Sequence, residues 1–341
     1  MMYNTLKELC LLNGTSGREE KIREYIINKI GEKGDITVDS LGNVIAFVRG
    51  KNRPKNKVMI SAHMDEVGFI VRYITDDGYL KITPVGGVDE RVVYGRNLVV
   101  GDKEISGVVC VKPVHLLEGD EKQTCPSVKD MFVDIGASSK EEAEKYVKVG
   151  DSAYFVSDYV EFGNSFIKAK AIDDRFGCAA MLRMIEEGIE YDTYFAFLVQ
   201  EEVGCRGAKV AAYSVDPDYA IVLEATTAAD VANVSDMMNS VCRLGEGAVV
   251  SFMDNGTLYD SQLYGRSYEI ARENSIKWQT KTAVAGSNDA SAIHLSRGGV
   301  YTLAISIPCR YIHSATCVAN KEDMQSVYEL AVRMSEDFAD A

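Results

Sequence analysis

Tyr194 to Ala208 reads YFAFLVQEEVGCRGA, an apolar run that stops on two adjacent carboxylates, Glu201 and Glu202. A run without polar alternation predicts a strand covered on both faces, as in a parallel sheet between helices. In open α/β sheets ligands bind beyond the carboxyl ends of such strands, so the glutamates fall where a site is expected. The same ending recurs along the chain. Val58 to Ala62 (VMISA) runs into His63 with Asp65 close behind, Tyr219 to Leu223 (YAIVL) runs into Glu224, and Tyr301 to Ile307 (YTLAISI) is followed by His313. Asp173 stands just before a helical pattern in KAKAIDDRFG, 168–177. The chain has only four histidines, so finding two of them just past strand ends is informative.

At 341 residues the chain can bury a large core and form two units, or one domain carrying an insertion. A net charge of −14 argues against nucleic acid or an anionic membrane as the main partner. The eight cysteines include no CxxC pair, which fits neither a thiolate zinc site nor a secreted disulfide framework, and they read as reduced and cytoplasmic. The start, MMYNTLKELCLL, lacks a basic region followed by a sufficient apolar run, and no segment approaches the length of a membrane span. A soluble, cytoplasmic protein is expected.

Ser16 with Glu19 reads as a capping box, opening a helix over about 17–32 with Ile22, Tyr25, Ile26 and Ile30 on one face. Ile36 to Val38 and Val44 to Val48 read as a hairpin around Leu41-Gly42-Asn43. From about Phe69 to Phe162 the character changes to short alternating segments punctuated by DDG, VGG, VGD and EGD, with one helical piece near Lys140 to Tyr146. That is the composition of a small barrel or sandwich. Beyond it, Asp173 or Asp174 can cap a helix through CAAMLRMIEEG. Strands and helices then alternate to a last helix over about Lys321 to Phe338. The expected fold is α/β: a three-layer αβα domain with a mostly parallel sheet, formed by 1–68 plus 163–341 and interrupted by a β-rich domain at 69–162.

Imidazole nitrogen and carboxylate oxygen both bind Zn²⁺, and catalytic sites leave a position to water. His63, Asp173, Glu202, Glu224 and His313 supply five such ligands. With Asp173 shared, each of two ions would have one nitrogen and two oxygens, leaving a place for a bridging water or hydroxide. Two such ions can polarise a carbonyl and supply the nucleophile together. Glu201 is then the spare carboxylate and the candidate general base, since successive side chains in an extended segment point different ways. Asp65 can accept the other imidazole N–H of His63 and fix its tautomer. Taken singly, each of these residues has a plainer reading as a cap or a solvated patch; their shared position at strand ends outweighs it. His115 and His294 read as structural or surface residues.

The segments SAHMDEVGF (61–69), KAKAIDDRFG (168–177), VQEEVGCRGA (199–208), LEATTAAD (223–230) and RYIHS (310–314) together resemble metallopeptidase family forty-two. These are glutamyl and deblocking aminopeptidases that build tetrahedral shells, some of whose members have been labelled endoglucanases. The resemblance implies that His63 and Glu224 bind one metal, Glu202 and His313 the other, and Asp173 bridges them. Glu201 would be the general base and Asp65 the residue that orients His63. It also implies a cis peptide at Asp173-Asp174, a PDZ-like inserted domain, and assembly into a tetrahedral dodecamer. Two positions depart from the family's pattern. Glu224 stands where Asp is common, and in AGSNDAS (285–291) Ser287-Asn288 replaces a glycine-threonine pair. Asp289, next in line, reads as a site residue or a helix cap.

The function expected is a metal-dependent aminopeptidase acting on peptides, with two ions of zinc or cobalt per subunit. A glycoside hydrolase using a carboxylate pair is the alternative, and it gives the two strand-end histidines no task. A catalytically inactive assembly protein of the same fold is the reading from another class.

Overall fold

A computed structural model describes residues 2–234 and 236–341. Helices α1 (Met2–Leu11) and α2 (Glu20–Ile30) lead into a hairpin of β1 (Asp35–Val38) and β2 (Val44–Val48), followed by β3 (Val58–His63). The chain next forms β4 (Gly68–Ile74), β5 (Leu80–Val85), β6 (Asn97–Val100), β7 (Ile105–Cys110), β8 (Phe132–Asp134), α3 (Lys140–Ala143) and β9 (Ser152–Phe155). It returns through β10 (Val160–Phe162), β11 (Phe166–Ala169), α4 (Ile172–Glu187), β12 (Thr193–Leu198), α5 (Arg206–Val215) and β13 (Tyr219–Thr227). Then come α6 (Met237–Ser240), β14 (Ala248–Val250), α7 (Ser261–Glu273), β15 (Trp278–Thr280), α8 (Ala290–Ile293), β16 (Tyr301–Arg310), β17 (Cys317–Asn320) and α9 (Lys321–Asp340). Among the described residues no helix is long and apolar enough to cross a membrane.

One eleven-stranded sheet runs in the order β1-β2-β12-β3-β13-β16-β17-β11-β10, with β14 pairing β15 and β16. Its centre, β12-β3-β13-β16, is parallel and both flanks are antiparallel. The fold is a three-layer αβα sandwich. Helices α4 and α9 lie along β3, β13 and β16, and α5 and α8 pack on each other and on β12 and β16. Every residue of β3 is buried, as are Phe195 and Phe197 of β12. Each such aromatic contributes roughly 1.5–3 kcal/mol on leaving water, which is why these runs need no polar alternation.

The strands β4-β5-β8-β7-β6-β9 close into a barrel, leaving no open edge. It has its own core around Phe69, Leu98, Val133 and Phe155, with the two phenylalanines edge to face at 5.3 Å. Two crossings join barrel and sheet, and a buried ion pair ties them. Lys170 on the returning crossing donates to both oxygens of Glu66 on the outgoing one, at 2.6 and 2.7 Å, and Gly14 N–H donates to Glu66 at 3.0 Å. Buried charges are tolerated only when paired in this way.

Two local expectations are corrected, and one element is added. Ser16 and Glu19 do not form a capping box: α2 begins at Glu20 with no side-chain cap, because Ser16 Oγ donates to Asp65 and Glu19 accepts from Gly17 and Gln200 N–H. Glu224 is not beyond its strand, because β13 continues to Thr227. The N-terminal helix α1, which the sequence reading left unassigned, packs on α4.

Candidate metal centre

Parallel register brings the candidate residues to one level. Leu198 of β12 lies opposite His63 of β3, and Val222 of β13 opposite Ser61, so continuing that register sets Glu224 level with His63. Beyond β12, Gln200 adopts a left-handed conformation (φ 58°), and Glu201 C=O accepts from Gly204 and Cys205 N–H at 2.8 and 2.9 Å. The divergence of Glu201 and Glu202 therefore comes from this turn and not from strand alternation. Asp173 and Asp174 are joined by the cis peptide the resemblance implied, and both have non-helical backbone at the start of α4. Asp174 Oδ1 accepts Gly177 N–H at 3.0 Å, so Asp174 is the cap and Asp173 is left to face the site.

Asp173 stands between the two imidazoles. Its Oδ1 is 3.2 Å from His63 Nε2 and its Oδ2 is 3.4 Å from His313 Nε2. Glu224 Oε1 lies 3.6 Å from His63 Nε2, and Glu202 Oε2 lies 3.4 Å from His313 Nε2. Ligand atoms around a tetrahedral ion at roughly 2.0–2.1 Å sit about 3.3 Å apart, so these spacings are those of two coordination edges meeting on one carboxylate. The longer side chain of Glu224 folds back, its Oε1 accepting the N–H of Ala225 at 3.0 Å. That takes up the extra methylene.

Electrostatics point the same way. Burial disfavours imidazolium at His63, yet hydrogen bonds donated to Asp173, Asp65 and Glu224 outweigh it and lift the ring well above its ordinary value. His313 is pushed up to about 9 against the same burial, by Asp173 and Glu202. Burial alone would raise Asp173, but the two rings hold it well below the usual carboxylate range. Glu201, Glu202 and Glu224 go the other way: burial raises each, and the Asp173 charge adds to it. Carboxylates in excess of two imidazoles, confined out of water, fit divalent cations in both donor type and charge.

The frame around these groups is more extensive than the sequence reading allowed. His63 Nδ1 is 3.0 Å from the main-chain oxygen of Asp65 and 3.5 Å from its carboxylate. That carboxylate accepts from Ser16 Oγ at 2.6 Å, Glu201 N–H at 3.0 Å and Glu202 N–H at 3.2 Å. Asn43, fully buried at the hairpin turn, accepts Val199 N–H at 2.9 Å and donates to Gly207 C=O at 3.0 Å, bracing the segment that carries both glutamates. From the barrel, Gly86 approaches so closely that a Cβ there would stand 3.1 Å from Glu202 Cβ. Of the histidines read as structural, His115 is exposed, and His294 Nδ1 lies 2.7 Å from the C=O of Ala290.

A cavity of about 270 Å³ opens over the centre, lined by Asp173, Glu201, Glu224, Lys281, Asn288 and His313 among others. Lys281, unforeseen from sequence, donates to Ala285 C=O at 2.6 Å on its wall. Asn288 caps α8 by accepting Ala290 N–H at 2.9 Å, which removes the cap reading of Asp289.

The sequence model of the M42 glutamyl aminopeptidase family matches residues 42–330. A putative aminopeptidase of Acetivibrio thermocellus is 41% identical over 334 residues, covering 97% of each chain. An aminopeptidase structure from the archaeon Desulfurococcus kamchatkensis superposes with a TM-score of 0.93 at 35% identity, covering 98% of this chain and 94% of the other. The TET1 peptidase of Pyrococcus horikoshii, described as able to assemble into a tetrahedron or a large octahedral shell, gives 0.86 at 34% identity, covering 98% and 99%.

Proposed function

The chain belongs to the M42 glutamyl aminopeptidase family, and on that premise we propose that it removes N-terminal residues from peptides at a dinuclear centre. It is a metal-dependent aminopeptidase. His63 and Glu224 would hold one ion, Glu202 and His313 the other, with Asp173 between them. The observation that carries this reading is the division of the Asp173 carboxylate, one oxygen facing each imidazole. Zinc or cobalt suits an imidazole and carboxylate donor set.

Bound there, the ions supply Lewis acidity toward the scissile carbonyl and toward water. The chain's own residues do the rest. Glu201, lining the cavity and outside both sets of close donor contacts, takes a proton from the attacking water and returns it to the leaving amine. Burial raises its carboxyl, bringing proton affinity closer to what a neutral-pH base needs. Asp65 holds the backbone of both glutamates through the hydrogen bonds described above, and fixes His63 through its main-chain oxygen and carboxylate.

The test is a screen of aminoacyl-chromophore substrates on protein stripped with EDTA and reloaded with single divalent ions. Activity should vanish on stripping and return with zinc or cobalt, and activity that survives chelation refutes the reading. Glu201→Gln should keep both ions by elemental analysis and lose about 10²–10⁴-fold in kcat, the usual worth of a general base. Unchanged turnover removes Glu201 from that role.

We further propose that residues 69–162 act as an assembly unit on the body formed by 1–68 and 163–341, building a tetrahedral dodecamer. Exposed Val114 and Leu116 on this unit support it, and light scattering should return the mass of twelve chains. Eight free thiols support a reducing, cytoplasmic setting.

A further inference from the structure

Beside Glu201 lies a group of donors to which the peptidase reading gives no task. Cys205 Sγ is 3.5 Å from Glu201 Oε1, and a carboxylate oxygen of Asp289 lies within 4.8 Å of donor atoms on both. Asp289 is 1% exposed, and neither of its oxygens has a hydrogen-bond partner of good geometry, the Cys205 thiol being the polar hydrogen that faces it. Since Asn288 does the capping of α8, this carboxylate is not buried for the sake of the helix. A thiolate at about 2.3 Å and a carboxylate oxygen at about 2.0 Å from a tetrahedral zinc ion stand about 3.5 Å apart, which is the sulfur to oxygen spacing found here. Ser291 Oγ reaches Cys205 Sγ at 3.6 Å and can donate to it, an outer contact of the kind that steadies a metal ligand. Glu201 also lines the cavity, so an ion entering from solvent meets one of the three donors there, with the other two buried behind it.

We propose that Glu201, Cys205 and Asp289 form a third cation site, selective for thiophilic ions such as zinc, whose occupation takes Glu201 out of catalysis. The sulfur ligand sets its preference apart from that of the neighbouring centre, because thiolate discriminates against magnesium and calcium. Binding displaces the thiol proton of Cys205 to solvent, together with any proton on the carboxyls, and involves no electron transfer. With Oε1 bound to the ion, the Glu201 carboxylate is held in place and its proton affinity falls, so it no longer takes a proton from the attacking water and peptide hydrolysis stops. That consequence rests on Glu201 being the base; the existence of the site does not.

The experiment titrates the metal-free full-length chain with Co²⁺ and follows near-ultraviolet absorption. The first two equivalents should fill the imidazole and carboxylate centre without a thiolate-to-cobalt charge-transfer band, and the band should rise with the third. Cys205→Ala should abolish the band while retaining the first two equivalents, and Asp289→Asn should weaken the third step at least tenfold. In parallel, excess Zn²⁺ should inhibit the two-metal enzyme, with the inhibition midpoint at least tenfold higher in Cys205→Ala. Absence of the band, or its persistence in Cys205→Ala, overturns the site. A band at the third equivalent with no loss of turnover upholds the site and strikes Glu201 as the base. A band with the first equivalent, and no further binding, upholds the site and strikes the dinuclear reading.

Discussion

Replacing Asp65 by Asn changes one atom and should disturb both the stability of the chain and its grip on metal. In the native protein Asp65 is fully buried; Oδ1 accepts Glu201 N–H, and Oδ2 accepts both Ser16 Oγ and Glu202 N–H. Asparagine offers one accepting oxygen and one donating amide. Whichever way the amide turns, a backbone N–H of Glu201 or Glu202 then faces another donor. An amide nitrogen at Oδ1 would also face His63 Nδ1, 3.5 Å away, whereas at Oδ2 Ser16 can rotate its hydroxyl and accept, so the less costly arrangement strands Glu202 N–H. Losing a hydrogen bond to a charged acceptor costs about 1.5–3 kcal/mol, and a buried donor left unpaired costs about 1–3 kcal/mol. The sum is about 2.5–6 kcal/mol. At roughly 2 cal/mol/K of unfolding entropy per residue, the 341 residues convert this to a fall in Tm of roughly 4–9 °C. The donor that moves belongs to a proposed ligand, so metal affinity should fall about 10–100-fold, the range for residues that orient ligands. Calorimetry on the metal-free chain reads the first quantity, and competition with a chromophoric chelator reads the second. A variant that melts within 1 °C of the parent and binds metal as tightly refutes the reasoning.

Two further outcomes are expected. Gly177→Ala should destabilise the chain by about 1–3 kcal/mol, the range for an overpacked interior, since its Cβ would stand 2.4 Å from Asp174 Oδ2 and 2.7 Å from Ala62 Cβ; a parental urea midpoint would count against this close contact of α4 and β3. Asp323, which accepts Gly245 and Gly247 N–H at 2.7 Å, is nevertheless raised by burial to about 6. A folded value above the unfolded one means that its contribution is full below about pH 4 and is lost as pH rises through about 6, by on the order of 3 kcal/mol. The stability of the parent relative to Asp323→Asn should therefore decline between pH 4 and 7, and a constant difference across that range contradicts the shift.

How far the sequence discloses this arrangement depends on the range of each interaction. Apolar runs without alternation gave away the central strands, because burial on both faces leaves a mark at every residue of β3 and β12. His63 and the two glutamates were legible for the same reason, being the first ionisable groups after those runs. The frame that holds them was not. Asp65 meets Ser16, Glu201 and Glu202 across 49, 136 and 137 residues, and no local pattern encodes such partners. The same contacts defeated the capping box: a serine and a glutamate three apart are helix signals only while nothing distant competes for them. Asp289 was equally ambiguous, since a carboxyl before a short helix reads as a cap until a neighbouring asparagine is seen to do that work.

The pair at 201 and 202 shows why spacing alone could not assign the two glutamates. Had the strand simply continued, alternate side chains would have faced opposite sides of the sheet and only one could have reached the cavity end. Instead Gln200 turns left-handed, and the N–H groups of both glutamates are held on the two oxygens of a single buried carboxylate. From that common anchor the side chains part, Glu202 toward His313 and Glu201 toward Cys205 and the cavity. What makes two chemically identical neighbours non-equivalent is therefore the turn and its anchor. A substitution that frees the turn, at Asn43 or Asp65, should blur their roles even with both carboxylates intact.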